Sequence, residues 1–588
     1  MRKYYKFLIV LNILLFSIMF IPINAAVGYN YSHDGRPIYS TEGLTVSKDG
    51  VYTVISDRWT NDKGEKVLSE EFKDPIDLFI YKEENGKDVI YVVDSTSNIL
   101  YIFDEDMNFK QKIYRFEVRP EDFTGNNQAA LKKAKTRMLT DAGEQATAFT
   151  TYLTKSKSMD FIDFMNVADI PYENRDESQK FYIDCFGLSG VYRSLRPVRD
   201  ERGVQLKDEN NKPILEDLLY LSDKKNNQVL ILDAKDYRVV QVVITPDTIN
   251  FSGKTFLPDK LVTDDYGRMY IISDGVFEGI MMFSPGGIFN SYKGVNYLTL
   301  SFWDKFWRRF LTDEQIALQQ TAVNTTFTNL TIDQYYFIYA TSRAIDDVNN
   351  SRMIKRLNRE GIDVLTRNGY HDPKGDLVYV RTGVDQSLRG PSKFSAVTVN
   401  NYGVYTIADT KSGRLFTYDD EGNLLYISAG SGNEVSNLNE PVAIRYQGDN
   451  IIALDRKNKA VLRFIPTEIA ITINKAVRYH YEGNLNASSE EWKKVLDKNP
   501  NYEYANIGIG KSLMNEKRYQ DAMYYFQKGF NVRYYSNAYK QYRDEVVNKY
   551  FAPIFTVVII LGVLGLGYKT YRNIRYKRAD DDSGAGDE

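Results

Sequence analysis

Residues that could do catalytic or metal chemistry are few in this 588-residue chain. Histidine occurs only at His33, His371 and His480, each isolated, whereas zinc catalysis needs two or three such ligands at close spacing. The single cysteine, Cys185, has no neighbouring histidine to act as its base. The sequence therefore predicts no catalytic residue, no cofactor and no metal ion.

Two further patterns look like ligand sites but are better explained as structural elements. The segment ANIGIGKS, from Ala505 to Ser512, ends like the phosphate-binding motif G-x-x-x-x-G-K-[ST], but Ala505 replaces the first glycine and the segment lies in a predicted helix. The acidic turns DEDMN, DDYG and DDEGN lack the alternating ligands of a calcium loop. Asp, Asn and Gly are typical of hairpin turns, so we interpret these segments as turns.

A strand–turn–strand unit recurs along the first two thirds of the chain. In IYVVDSTSNILYIFD, Asp94 closes the first strand and Asp104 follows the second. Related copies carry Asp223 with Asp233, Asp274 with Ser284, Asp409 with Asp419, a single Asp455, and Ser342 before a longer turn. Another strand precedes most copies, so each unit has about four antiparallel strands, and such units in series form a β-propeller. Six copies predict six blades, with the N-terminal segment GLTVSKDGVYTVISD supplying a strand that closes the ring against the last blade.

These units resemble the NHL repeat family, with the best match around Asp94, Asp223 and Asp409. The resemblance implies a mainly β fold, an NHL-like six-bladed propeller with helical insertions over residues 26–467. Six-bladed propellers also include lactonases resembling gluconolactonase, in which one Glu, two Asn and one Asp hold a divalent cation. Asn329 and Asn400, at inner-strand positions, could serve there, so a metal-dependent lactonase-like hydrolase is the alternative function.

Long insertions interrupt the propeller repeat. The largest, residues 119–182, contains a stretch from Asn127 to Leu153 that is predicted to be helical. A second insertion, residues 301–320, carries Trp303 and Trp307 four positions apart on an aromatic helix face. This face either packs on the rim of the propeller or binds a ligand or partner.

After Pro466 the apolar residues recur with a helical period. Small and large residues recur at four positions with a spacing of 34: Ala476, Tyr479, Ser488 and Trp492 correspond to Gly510, Leu513, Ala522 and Phe526. The spacing resembles the tetratricopeptide repeat, in which small residues lie where two helices touch and large ones fill the core, so Trp492 is predicted to lie between helices. Tyr534 stands where the repeat-ending Pro500 would recur, which predicts that the second copy continues into a third helix. We assign residues 468–549 to this helical module and take Tyr504 and Lys511, with Trp303 and Trp307, as candidate interaction residues.

The two ends of the chain have the composition of membrane-targeting segments. Residues 1–25 have a basic start, an apolar run and a small-residue exit, which is typical of a secretory signal peptide. Residues 550–568 carry no charge and would form a helix about 28 Å long, enough to cross a bilayer. Five basic residues follow within ten positions, so the positive-inside rule predicts a cytoplasmic tail at 569–588 and an extracellular region before the span.

Charge and domain organisation together favour a binding role. The 75 basic and 78 acidic side chains give a net charge of −3, without the basic excess typical of proteins that bind nucleic acid. A signal peptide, an NHL-like propeller, tetratricopeptide repeats and a C-terminal anchor together resemble a group of Gram-positive bacterial surface proteins. That resemblance implies a cell-membrane scaffold that engages a protein partner or carbohydrate, beside a carbohydrate transporter. Binding is favoured over catalysis because both repeat families bind rather than catalyse, and a sensor role is disfavoured because the tail holds no output domain.

Overall fold

Short apolar runs that end at Asp, Asn or Gly turns form antiparallel sheets in the first part of the chain. The computed structural model describes residues 27–52, 72–134, 137–140, 147–148, 161–176, 179–199, 204–297, 322–323, 326–343, 352–377, 392–432 and 434–583. The chain divides into two compact units, Met1–Ile471 and Thr472–Glu588. The first unit is a six-bladed β-propeller, which confirms the predicted fold class.

Each blade is a meander whose first strand is innermost. From the inside outward the strands are as follows: blade 1, Pro75–Lys82, Asp88–Asp94, Ile99–Phe103 and Phe109–Ile113; blade 2, Leu188–Pro197, Leu215–Asp223, Gln228–Asp233 and Val239–Ile244; blade 3, Pro258–Thr263, Met269–Ser273, Ile280–Phe283 and Phe289–Lys293; blade 4, Phe327–Ile332, Ile338–Ser342 and Ile354–Leu357; blade 5, Phe394–Val399, Tyr405–Asp409, Arg414–Tyr418 and Leu424–Ser428; blade 6, Pro441–Gln447, Asn450–Asp455, Ala460–Pro466 and Leu44–Tyr52. The six innermost strands contact one another in sequence, and that of blade 6 contacts that of blade 1, so the ring is closed.

The ring is closed by the strand Leu44–Tyr52, which comes from the N-terminal side of blade 1 and pairs antiparallel with Ala460–Pro466. The register places Leu44 opposite Pro466, with an irregularity between Val46 and Val51. Leu44 is buried, and its backbone N–H donates to Ser428 Oγ in blade 5 at 2.8 Å. The predicted closing strand is therefore confirmed.

The recurring Asp of the sequence repeat caps the loop that enters the innermost strand. In blade 1, Asp94 Oδ2 accepts the backbone N–H groups of Lys73 and Asp74 at 2.6 and 2.8 Å, while Oδ1 accepts those of Thr96 and Ser97 at 3.1 and 2.8 Å. Asp409 and Asp455 make the same kind of bonds in blades 5 and 6. The repeated carboxylate thus provides hydrogen-bond acceptors for part-buried N–H groups that the sheet leaves without strand partners.

The alignment of the repeat at Asp274 was wrong by one residue. Ser273 pairs with Pro258, as Asp94 pairs with Pro75, and Ser273 Oγ accepts the Leu257 N–H at 2.9 Å. A serine hydroxyl therefore replaces the carboxylate in blade 3, and Asp274 instead forms an ion pair with Lys224. The turn after Ser273 is one residue longer than the turn after Asp94, so Ser284 still follows the third strand of its blade, as Asp104 does.

The long insertion before blade 2 combines short helices and short strands in its described residues. Its α-helices are Gly125–Lys133 and Phe161–Asn166, and Ala134, which follows the first, adopts extended backbone angles. The insertion then adds strands to the outer edge of blade 2, which becomes an eight-stranded sheet: Arg115–Val118, Phe181–Asp184, Arg137–Thr140 and Thr147–Ala148. The predicted helical stretch from Asn127 to Leu153 is helical as far as Lys133, but its described residues Arg137–Thr140 and Thr147–Ala148 form strands instead.

Smaller elements complete the first unit. The hairpin Val27–Tyr31 with Pro37–Thr41 packs on the outer strand of blade 5, where Asn30 Nδ2 donates to Leu425 O at 3.2 Å. Further short elements are the strand pair Asn296–Tyr297 with Ala322–Val323, the helix Phe161–Asn166, and the 3-10 turns Pro120–Asp122, Val167–Asp169, Tyr172–Asn174 and Ile249–Phe251.

The helices that follow are Glu468–Tyr481, Leu485–Lys498, Glu503–Asn515, Tyr519–Lys528 and Val532–Ser583. Ser488 Oγ donates to Ala476 O at 2.8 Å, which places these small residues where two helices meet. Trp492 is 2% exposed, as predicted for a side chain between helices. Tyr534 stacks on Phe526 with ring centroids 5.4 Å apart, so the residue that replaces the expected proline joins the core as the next helix begins.

The last helix, Val532–Ser583, contains the uncharged segment and is long and apolar enough to cross a membrane. The side chains of residues 551–577 are all exposed in the protein alone. Tyr550 and Tyr568 flank the apolar stretch, and tyrosines are enriched at the two interfaces of a bilayer.

We expect Leu44→Ala to lower the stability of the propeller by about 2–5 kcal/mol, because it removes a buried side chain from the closing strand. Val51→Ala, in the same strand but 41% exposed, is the control and should cost less than about 1 kcal/mol. Scanning calorimetry of the detergent-solubilised protein measures both. Equal effects would contradict closure through this strand.

We also expect Trp492→Ala to destabilise the helical unit by about 3–5 kcal/mol through the loss of a buried aromatic side chain. Tyr539→Ala, at a 52% exposed position of the last helix, is the control. Thermal unfolding followed by far-ultraviolet circular dichroism makes the comparison. An unchanged midpoint for Trp492→Ala would show that the assigned repeat phase is wrong.

Candidate functional site

The third residue of each innermost strand is buried, and these six residues form a ring at one level of the propeller. We call them the inner ring: Asp77, Gly190, Lys260, Asn329, Ala396 and Ala443. Three members are polar and come from blades 1, 3 and 4. These three polar residues are candidates for a functional site, because polar groups buried among strands need partners.

Asp77 and Lys260 form a buried ion pair that spans blades 1 to 3. Lys260 Nζ lies 3.2 Å from Asp77 Oδ1 and donates to the carbonyl oxygens of Ile76 and Ser189 at 2.8 and 2.9 Å. Asp77 Oδ2 accepts the Val191 N–H at 3.1 Å. The Lys260 ammonium group is therefore held by two backbone carbonyl oxygens and the Asp77 carboxylate, and this contact links the innermost strands of blades 1, 2 and 3.

A glycine between the two charged residues permits the close approach of blades 2 and 3. A Cβ atom on Gly190 would lie 2.1 Å from the carbonyl oxygen of Asp259. Any side chain there would push the innermost strands of blades 2 and 3 apart. The glycine therefore belongs to the same structural device as the ion pair that crosses it.

Asn329 and Asn400, the candidate metal ligands, occupy different environments. Asn329 is fully buried on the innermost strand of blade 4, and neither atom of its amide has a hydrogen-bond partner among the residues that the structure describes. Asn400 follows the innermost strand of blade 5, and its Oδ1 accepts the N–H groups of Tyr402 and Val404 at 2.9 and 3.0 Å. The oxygen of Asn400 is thus used by its own hairpin turn, and the lactonase interpretation rests on Asn329 alone.

The remaining reactive group of the sequence, the Cys185 thiol, is buried beside blade 2. Burial raises its pKa well above the usual value, and the neighbouring carboxylates of Asp223 and Asp184 add to the shift. A thiol that stays protonated is a poor nucleophile. In the described part of the chain, no group of three or more His, Cys, Asp or Glu residues is arranged to hold a metal ion.

The second unit contains an open groove of about 650 Å³ between its helices. We call it the helical groove. Ile509 and Leu513 of the helix Glu503–Asn515 form its apolar floor, and Tyr524 and Tyr525 form an aromatic wall. The rim is charged, and it consists of Glu490, Lys493, Glu516, Arg518 and Asp521. An apolar floor with an aromatic wall and a polar rim is typical of a binding site.

The glycines of the ANIGIGKS segment pack helices together. Both lie in the helix Glu503–Asn515, where a Cβ on Gly508 would lie 2.2 Å from the Trp492 indole and one on Gly510 would lie 2.5 Å from the Phe526 ring. These distances leave no room for a side chain. The segment is therefore a helix–helix contact, and its resemblance to a phosphate-binding loop is coincidental.

The four candidate interaction residues are not brought together as one described site. Tyr504 is buried and packs edge-on against Trp492, with ring centroids 5.3 Å apart, so it belongs to the core of the helical unit. Lys511 is half-buried, and its Nζ lies 4.9 Å from the centre of the Tyr534 ring. Trp303 and Trp307 lie outside the described residues. The helical groove was not predicted from the sequence, although both tyrosines of its wall lie in the run AMYYFQ.

Comparison with known proteins returns matches only among solved structures. No protein-family model and no curated protein sequence matches the chain. Virginiamycin B lyase from Staphylococcus aureus is 8% identical to this chain. The match covers 68% of this chain and 97% of the lyase, with a TM-score of 0.33. A streptogramin B lyase is 11% identical, and the match covers 68% of this chain and 96% of the lyase with a TM-score of 0.31. A protein of unknown function from Bacteroides thetaiotaomicron is 10% identical, and the match covers 74% of this chain and 80% of that protein with a TM-score of 0.34.

We expect Asn329→Leu to leave the propeller as stable as the wild type, or more stable, because an unpaired buried amide costs about 1–3 kcal/mol. If Asn329 held a divalent cation, added Ca²⁺, Mg²⁺ or Zn²⁺ would raise the melting temperature of the wild type and not that of the variant. We predict no such difference. A rise in the melting temperature of the wild type alone on adding a cation would support the lactonase interpretation.

Proposed function

We propose that the chain is a single-pass membrane protein whose propeller and helical unit lie outside the cell and bind a partner protein there. The observation that carries the proposal is the helical groove, which stands on the same unit as the membrane-spanning candidate. A partner engaged by this unit would be held close to the bilayer. The propeller supplies a second, rigid surface for ligands.

The proposed orientation follows from the charges beside the apolar segment. Lys569, Arg572, Arg575, Lys577 and Arg578 follow it directly, and such clusters stay on the cytoplasmic side. The signal-like composition of residues 1–25 agrees with export of everything before the span, although this segment lies outside the described residues.

The chemistry of the groove favours a segment of protein as its occupant. Its rim charges are paired with one another, as in Lys493 Nζ to Glu490 Oε1 at 2.6 Å and Arg518 Nη2 to Asp521 Oδ2 at 2.7 Å. The rim therefore lacks the strong single-sign charge that would select a small ion. Tyr524 is 53% exposed and offers the kind of aromatic contact that dominates protein interfaces.

Sequence resemblance supplies the class of partner. The NHL-like propeller, the tetratricopeptide-like spacing and the C-terminal anchor resemble Gram-positive bacterial surface proteins that accompany carbohydrate-uptake transporters. A membrane transporter subunit is therefore the partner that we propose. Helical pairs at tetratricopeptide spacing would then dock the subunit, and the propeller would face the incoming carbohydrate.

Tyr524→Ala and Lys493→Glu test the groove directly. We expect each to reduce the partner recovered with the full-length protein from native membranes by about tenfold, as for the loss of an interface hot spot. Tyr539→Ala, equally exposed on the neighbouring helix, should leave recovery unchanged. Quantitative mass spectrometry of the wild-type capture and the three variant captures measures the ratios of recovered partner. The same recovery in all variants would contradict binding through the groove.

A further inference from the structure

One arginine of the innermost strands, Arg445 of blade 6, has a buried side chain. It is the fifth residue of the strand Pro441–Gln447, and it is only 7% exposed. Alternate residues of a strand point to the same face, so Arg445 shares its face with Ala443 of the inner ring. The side chain of Arg445 is therefore enclosed between strands.

The guanidinium group of Arg445 contacts the innermost strands of both neighbouring blades. Its Nη1 donates to the carbonyl oxygen of Val397 in blade 5 at 3.4 Å and to that of Ile444 in its own strand at 2.9 Å. Its Cζ atom lies 5.7 Å from the centre of the Phe79 ring in blade 1. A group that reaches the innermost strands on both sides of its own blade lies toward the axis of the propeller.

Three of the five N–H donors of this guanidinium group have no acceptor among the residues that the structure describes. The two protons of Nη1 are used, but Nε is buried without a hydrogen-bond partner and Nη2 donates to no described residue. Arg445 also forms no ion pair with a described carboxylate. Burial of an unpaired charge is costly, so this arginine calls for a counter-ion.

The carboxylate that acts on Arg445 from a distance, Asp77, is already engaged. Burial lowers the pKa of the Arg445 guanidinium, and the charge of Asp77 partly offsets this effect, while arginine stays protonated in proteins. Asp77 Oδ1 lies 3.2 Å from Lys260 Nζ, and Asp77 Oδ2 accepts the Val191 N–H at 3.1 Å. Asp77 therefore serves Lys260 and does not pair with Arg445.

The side chains at the level of Arg445 limit the size of an anion that could reach it. The rings of Phe79 and Tyr192 lie 4.6 Å apart and supply an apolar wall. Thr398 Oγ1 accepts the N–H of Tyr446, the residue after Arg445, at 3.2 Å, so its hydroxyl proton can donate to another acceptor. The fifth residues of the five other innermost strands are Phe79, Tyr192, Val262, Thr331 and Thr398. Because Arg445 is so little exposed, only an ion of one or a few atoms fits against its guanidinium group.

We propose that Arg445 holds a small monovalent inorganic anion, such as chloride, near the axis of the propeller between the innermost strands. The anion accepts hydrogen bonds from Nε and Nη2 and supplies the counter-charge that no described residue provides. Guanidinium is weakly hydrated, and its apolar neighbours cannot solvate a dianion, so a monovalent ion is favoured over sulfate or phosphate. This site lies in the propeller and is independent of partner binding by the helical groove.

Thermal unfolding in matched salts tests the site. Scanning calorimetry follows the propeller transition of the full-length protein in a non-ionic detergent while sodium chloride replaces sodium methanesulfonate, whose bulkier anion does not fit, at constant ionic strength. We expect the melting temperature to rise by about 1–2 °C for each tenfold increase in chloride above its dissociation constant, the slope for one ion per folded chain. Bromide should act like chloride, and sulfate should give no such rise.

Substitutions of the arginine separate the site from general salt effects. Arg445→Met should abolish the chloride dependence, and in methanesulfonate it should melt no lower than the wild type, because an unpaired buried cation is replaced by an apolar side chain. Arg445→Lys keeps the charge but loses the planar fork, so a weaker chloride dependence should remain. Arg456→Gln is the control, because Arg456 is an arginine of the same blade that pairs with Asp74 at 2.5 Å, and its loss should leave the chloride dependence unchanged.

The slope is measured within each variant, so a change in overall stability does not imitate a change in anion binding. The proposal is overturned if chloride and methanesulfonate give the wild type the same melting temperature, or if Arg445→Met keeps the full chloride slope. Equal slopes for Arg445→Lys and the wild type would also overturn it, and that comparison remains if Arg445→Met does not fold. Loss of the slope in Arg456→Gln would assign the chloride effect to surface charge and overturn the proposal as well.

Discussion

The propeller depends on one non-covalent junction, the pairing of Leu44–Tyr52 with Ala460–Pro466. These strands lie more than 400 positions apart in sequence, and a chain with a single cysteine has no internal disulfide to hold them together. Leu44–Tyr52 is the outermost strand of blade 6, so loss of this junction would leave Ala460–Pro466 as an unpaired edge strand. Backbone pairing and buried apolar side chains such as Leu44 must therefore stabilise the ring.

The sequence predicted the blades well because the features that define them are local. An apolar strand, a capping carboxylate and a turn lie within about fifteen residues in each copy, so Asp94, Asp223, Asp409 and Asp455 could be recognised directly. The alignment of the repeats failed in blade 3, where a different residue type makes the same contact. There the Ser273 hydroxyl accepts the backbone N–H that a carboxylate accepts in other blades. The insertion was misjudged because its alanine-rich start is helical only to Lys133.

The candidate sites were less predictable because each joins residues from distant parts of the chain. Asp77 meets Lys260 across Gly190, and the three residues come from three blades, so their contact does not appear as a motif. The helical groove is intermediate: the 34-residue period placed Trp492 and Phe526 in the core, but the same reasoning could not separate buried Tyr504 from exposed Tyr524. Spacing identifies the face of a helix, whereas exposure depends on which neighbours cover it.

We propose that the propeller and the helical unit lie outside the cell and the C-terminal tail inside. The single cysteine is buried, so the protein suits labelling of introduced cysteines with a membrane-impermeant maleimide. Lys540→Cys places a thiol at an exposed position before the span, and Asp587→Cys places one in the tail. On intact cells we predict labelling of Lys540→Cys alone, with Asp587→Cys labelled only after lysis. Labelling of Asp587→Cys on intact cells, with Lys540→Cys protected until lysis, would show that the orientation is the reverse.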